Sequence, residues 1–155
     1  MTKQNIHGDI SSDILAIFEE KVPFNKLLDL KVESLDPACP RIRFNMREEL
    51  VGNYYHGILH GGVTASVIDV TGGLVAYLSV QEKFAHESPE KKLARFAKIG
   101  TIDMRVDYLL PGRGKWFVST GYVLRTGSKV AVVRVEMHDE KAQLFAVGTG
   151  AYTVA

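Results

Sequence analysis

"LHGGVTASVIDVTGGLVAYL", residues 59–78, has the apolar spacing of a helix, opens on His60-Gly61-Gly62 and carries one carboxylate, Asp69, near its centre. On a 3.6-residue period Gly62, Ala65, Ser66, Asp69, Gly72, Gly73 and Ala76 share a face. It is a stripe of small residues broken only by the acid. Val63, Val67, Val70, Leu74 and Leu78 form a second face, the one expected against a sheet. Close packing on another backbone accounts for most of the small residues. It does not account for Asp69, because a carboxylate in an apolar helix costs several kcal/mol unless it is paired or hydrogen-bonded, and the stripe offers no partner. A functional role for Asp69 is therefore favoured over a structural one.

The first turn carries a second signal. At a helix start the free backbone N–H groups and the positive end of the dipole favour negative charge, and glycine lets a ligand come close. His60-Gly61-Gly62 is thus a candidate oxyanion site, although glycines before a helix are more often only a turn and a histidine there more often a cap. Gly61 and Asp69 are eight residues apart, roughly 12 Å along a helix axis. A base or nucleophile must come within about 3 Å of the carbonyl whose oxygen the N–H groups hold. One helix cannot supply both to one bond, so a catalytic reading of both demands two chains.

Around this helix the chain reads mostly as strands. Ser11 or Ser12 caps a short helix over about residues 11–22, ended by Pro23. "LLDLKVESL" and "RIRFNMR" follow as strands, the second with Ile42, Phe44 and Met46 on one face and Arg41, Arg43 and Arg47 on the other. Residues 81–98 are charged, carry Pro89 and read as an exposed excursion with one helical turn. Residues 99–110 alternate Ile102, Met104, Val106, Tyr108 and Leu110 against Thr101, Asp103, Arg105 and Asp107, which puts Thr101 on the polar face. "PGRGK" turns the chain, "TGS" makes a tight hairpin, and "LFAVGTGAYTV" closes it. Short connections make the four late strands antiparallel neighbours. One α+β domain over 1–155 results, a curved antiparallel sheet wrapped around one long helix.

Composition narrows the functions. The 155 residues are 46% apolar and 24% charged, enough for one real core. With 19 basic and 18 acidic residues the formal charge is +1, so no global field draws in nucleic acid or an anionic membrane. Cys39 is the single cysteine, which rules out an intramolecular disulfide, and the five histidines lack metal-ligand spacing. The first residues, "MTKQNIHGDISSDI", do not read as a signal peptide, and no later segment is expected to stay apolar long enough to span a bilayer. A soluble, cytoplasmic protein is expected.

"HGG" with Asp69 nine residues after the histidine, "VDYLLPGRG" and the terminal "AVGTGAYTV" resemble the hotdog-fold acyl-CoA thioesterases of the phenylacetate-pathway (PaaI-like) branch, from about Leu27 to the C-terminus. The resemblance implies a hotdog fold, homodimers with two shared active sites, often paired into tetramers, and no cofactor, coenzyme A being part of the substrate. It implies that Gly61, beside His60, donates its N–H to the thioester oxygen, that the partner's Asp69 is nucleophile or general base, and that Thr101 places the water. The family's asparagine stands six residues before the histidine. Here Tyr54 holds that position, and an extra residue in "GNYYHGIL" would return Asn53 to it.

Gly62 and Ser66 are candidate substrate contacts on the same helix face. Coenzyme A phosphates need a local basic cluster. Arg113 and Lys115 of "PGRGK" are the first choice, ahead of Arg125 with Lys129 and of Lys91, Lys92, Arg95 and Lys98. The sheet face and the long helix are expected to line the acyl slot, for a chain of medium or greater length. Two other functions are weighed, a non-catalytic acyl-CoA-binding module and a 3-hydroxyacyl thioester dehydratase. A sensor has no use for Asp69, and His60 at a helix start suits a dehydratase poorly.

Overall fold

The computed structural model describes residues 12–155. The proposed cap at Ser11 lies outside the described residues, as does most of "MTKQNIHGDISSDI". Residues 12–16 are helical and run into a π-turn, Ile17–Lys21. Val22 is extended, and Pro23 then occupies the first turn of α1 (Pro23–Leu27), where its missing N–H is no loss. The strand expected over "LLDLKVESL" is consequently short. Leu27 still belongs to α1, and only Lys31–Ser34 is strand β1.

Strand β2 (Arg41–Asn45) alternates as its sequence predicts, with Ile42 and Phe44 buried. A small hairpin of β3 (Val51–Asn53) and β4 (Ile58–Leu59) follows, which the sequence reading missed because both strands are too short to show a period. The long helix is α2 (Gly61–Gln81). The charged excursion holds more structure than expected. Ser88 caps α3 (Pro89–Phe96), two turns long, by accepting from the Lys91 N–H, and Pro89 opens that helix. Phe96 turns inward and meets Phe18 and Tyr77 edge-to-face, with centroids 5.3 and 5.2 Å apart.

Strands β5 (Thr101–Tyr108), β6 (Trp116–Thr126), β7 (Val130–Asp139) and β8 (Leu144–Thr153) complete one six-stranded antiparallel sheet in the order β1-β2-β6-β7-β8-β5. The expectation that all four late strands are sequential neighbours holds for β6, β7 and β8 but not for β5. Strand β5 pairs with β8 at the sheet edge, so residues 109–115 form a crossing connection rather than a hairpin. Leu109 and Leu110 donate to the Phe145 carbonyl and Leu59 donates to that of Gly112, which ties this connection beside the start of α2.

The sheet approaches α2 most closely at two of its glycines. A Cβ on Gly148 would lie 2.2 Å from Ile68, and one on Gly121 would lie 2.1 Å from Val75. The close approach expected from small residues in the helix is thus made largely by glycines in the sheet. Thr71 and Ser119, both fully buried, satisfy each other across this layer. The sheet-facing stripe is rotated from the predicted one. Val67, Leu74 and Leu78 are buried as expected, but Thr64, Ile68, Thr71 and Val75 join them, while Val63 and Val70 are only half-buried. One further expectation is corrected: with 21 residues, α2 is long and apolar enough by composition to cross a membrane. Most of it is buried inside this domain, and that burial explains its apolarity.

Candidate active site

The start of α2 is organised by His60. Its N–H donates to Leu50, its carbonyl accepts from Val63 and Thr64, and its Nδ1 accepts from Gly62 at 2.8 Å. The histidine is therefore a cap, and its imidazole consumes the Gly62 N–H. Among the described residues nothing accepts from the N–H of Gly61. That glycine lines a cleft of about 470 Å³ with Asn53, Thr64, Tyr108 and Pro111. Tyr108 donates to the Gly61 carbonyl at 2.7 Å and lays its ring against this glycine. The sequence reading saw in Tyr108 only an apolar-face position; its hydroxyl is what ties β5 to the helix start. Asn53 is exposed at the hairpin end, where its Oδ1 accepts from the His56 N–H at 3.2 Å.

Asp69 lies elsewhere, half-buried in a cleft of about 320 Å³ with Phe18, Val22, Asn25, Val70, Phe96 and Ile99. Its Oδ1 accepts from Thr101 Oγ1 at 2.7 Å and from the Tyr152 hydroxyl at 3.3 Å, and that hydroxyl also reaches the Asp69 carbonyl at 3.2 Å. Simple alternation put Thr101 on the polar face. A bulge between Thr101 and Asp103 breaks that alternation, so Thr101 stands opposite inward-facing Tyr152 and points toward the helix. Burial first, then the neighbouring Asp69 charge, push the Tyr152 phenol well above its usual range, so it stays protonated and donates. Gly72 makes room for it, since a Cβ there would sit 2.1 Å from the Tyr152 oxygen. Tyr152 escaped the sequence reading because it is 83 residues from Asp69 and looks like one more strand aromatic.

The remaining candidates are dispersed. Ser66 donates to the Gly62 carbonyl at 2.7 Å, so its hydroxyl turns back along the helix. Ser66 and Gly62 line a third cleft, with Phe24, Leu28 and Leu50, away from that of Gly61. Arg113 is exposed, and its Nη1 donates to the His56 carbonyl at 2.6 Å, tying the crossing connection to the hairpin loop. Lys115 is exposed nearby, its backbone N–H bound to Glu140. Of the competing basic groups, Arg95 is paired with Glu87 and stacked on Phe84, and Lys92 caps the Ala85 carbonyl. No three metal-ligating side chains gather among the described residues.

Residues 56–146 match the model of the Thioesterase superfamily. The medium/long-chain acyl-CoA thioesterase YigI of Salmonella typhimurium is 44% identical over 89% of both chains, and its Escherichia coli K12 counterpart is 41% identical over the same shares. Among solved structures, a protein from Shewanella oneidensis related to the thioesterase superfamily superposes with a TM-score of 0.92 at 42% identity, covering 97% of this chain and 99% of its own. A putative thioesterase from Syntrophus aciditrophicus gives 0.86 at 44% identity over 96% and 98%. With the six-stranded sheet around α2 and the family match across its centre, the chain belongs to the thioesterase superfamily and has its hotdog fold.

Proposed function

We propose that this chain is a cytoplasmic medium/long-chain acyl-CoA thioesterase of the PaaI-like branch, and that it works as a homodimer in which Gly61 of one protomer and Asp69 of the partner subunit serve one thioester. The observation that carries this reading is that the two groups occupy separate clefts of one chain, eight residues apart on one helix. Strand β5 offers the means of joining them. It is an edge strand, with Ile102 and Tyr108 more than half exposed, and such an edge pairs readily with its own copy. Its first residue, Thr101, is bonded to Asp69 and its last, Tyr108, to Gly61. An antiparallel β5 pair that sets Thr101 opposite the partner's Tyr108 therefore brings each Asp69 toward the other chain's Gly61.

In such a site the Gly61 N–H stabilises the oxyanion. The Asp69 carboxylate takes a proton from the water that attacks the carbonyl carbon, or attacks that carbon itself and is released by water. The C–S bond breaks, the sulfur leaves as coenzyme A thiol, and the free acid is the other product. Asn53 lies beside the oxyanion position, the acyl chain lies along Phe18, Val22, Val70 and Phe96, and Arg113 with Lys115 meets the phosphates. Two such dimers pair into the tetramer that the family resemblance implies. The similarity to YigI supports the substrate class.

The test mixes two inactive proteins, Asp69→Ala and Gly61→Pro. Proline at the first helical position suits the helix but removes the N–H. A heterodimer then holds one site with both lesions and one with neither, so thioester hydrolysis returns on mixing. If the proline variant folds and exchanges subunits but no activity returns, the shared site is wrong.

A further inference from the structure

We infer that Tyr152 is a positioning residue for Asp69: with Thr101 it immobilises Oδ1 and leaves Oδ2 as the oxygen presented to the reacting thioester or its water. The inference rests on the catalytic reading of Asp69 above. Both hydroxyls converge on Oδ1, while no hydrogen bond reaches Oδ2 among the described residues. Two donors on one oxygen restrict the rotation of the carboxylate, and the single phenolic proton, shared between Oδ1 and the Asp69 carbonyl, holds the phenol to this one residue. Free rotation would exchange the two oxygens and spoil the approach geometry that makes a base effective.

The surroundings show that the phenol is seated on purpose. Tyr152 is 2% exposed, so its hydroxyl has no bulk water to satisfy it. Gly72 and Gly150 flank it, and a Cβ on either would come within 3 Å of the ring or its oxygen. Gly72 lies one turn beyond Asp69 on the same helix face, so the small stripe that looked like helix packing includes a notch cut for this hydroxyl. The aromatic ring would fill the same core space without its oxygen. Because the phenol stays protonated, it donates to the carboxylate across the working pH range.

The test is Tyr152→Phe, which keeps the ring, assayed by thiol release together with thermal unfolding. The expected result is a kcat lowered about tenfold with KM unchanged, the order of one hydrogen bond to a charged group. In an Asp69→Ala background the same change leaves the residual rate as it was, because its effect passes through the carboxylate. Wild-type kcat in Tyr152→Phe, or a further fall in the Asp69→Ala background, overturns the inference while the base reading stands. Full activity in Asp69→Ala alone overturns both. If the phenylalanine variant does not fold, 3-fluorotyrosine at 152 keeps the shape and alters the donor; kcat equal to wild type then refutes the assignment, and a changed kcat at constant KM supports it.

Discussion

At the start of α2, His60 takes up the Gly62 N–H and the Gly61 N–H is left without an acceptor among the described residues; eight residues on, Asp69 is held on one oxygen by Thr101 and Tyr152. The first station presents a backbone N–H beside a local cap, with Tyr108 of β5 bound to the Gly61 carbonyl and the His60 N–H bound to Leu50. The second is built from side chains of three elements, α2, β5 and β8, brought together by the sheet. A backbone donor at a helix end is positioned by the helix itself, whereas a carboxylate on a helix face rotates unless something distant stops it. The open station suits a group that arrives with substrate, and the restrained one suits a group that must already be in place.

The sharpest way to break this contrast is to remove the acid. Asp69→Asn is expected to keep fold and assembly and to lower kcat by about 10²–10⁴-fold, as loss of a base or nucleophile does. Retention of most thiol release would reduce Asp69 to a structural acid and leave only the helix start as a functional station. Two neighbouring glycines sharpen the comparison at the restrained station. Gly72→Ala drives a methyl into the Tyr152 hydroxyl and should cost about 1–3 kcal/mol of stability along with turnover. Gly73→Ala meets only Ile99, at 4.0 Å, and should stabilise the helix by up to about 1 kcal/mol. Thermal unfolding separates the two, with opposite signs expected; equal shifts would mean that Tyr152 does not need its notch. The smallest effect belongs to the open station. Arg113→Ala, assayed against acyl-CoA, should raise KM about fivefold or less with kcat held, as for an exposed charge contact used equally in ground and transition states. An unchanged KM would move the phosphate contact to one of the other basic groups, Arg125 with Lys129 or the group of Lys91, Lys92, Arg95 and Lys98.

Read alone, the residues determine a long apolar helix with one acid, a helix start rich in glycine, and strands such as Arg41–Asn45, whose alternation survives in the structure with Ile42 and Phe44 buried. These are local matters, set by period and by turn chemistry within a few residues. The separation of Gly61 from Asp69 belongs here too, because helical rise alone sets it. Only the tertiary structure decides what depends on contacts between distant segments. The pairing of β5 with β8 rather than β6 turns "PGRGK" into a crossing connection beside the helix start. The bulge after Thr101 reverses its face, and a pattern of alternating residues cannot reveal where a strand gains one. Tyr152 finds Asp69 across 83 residues, and Gly121 and Gly148, which look like ordinary strand glycines, carry the close approach to α2. Spacing along the chain fixes which side chains share a helix face, but the partners of that face are chosen by sheet order and register, which no local period encodes.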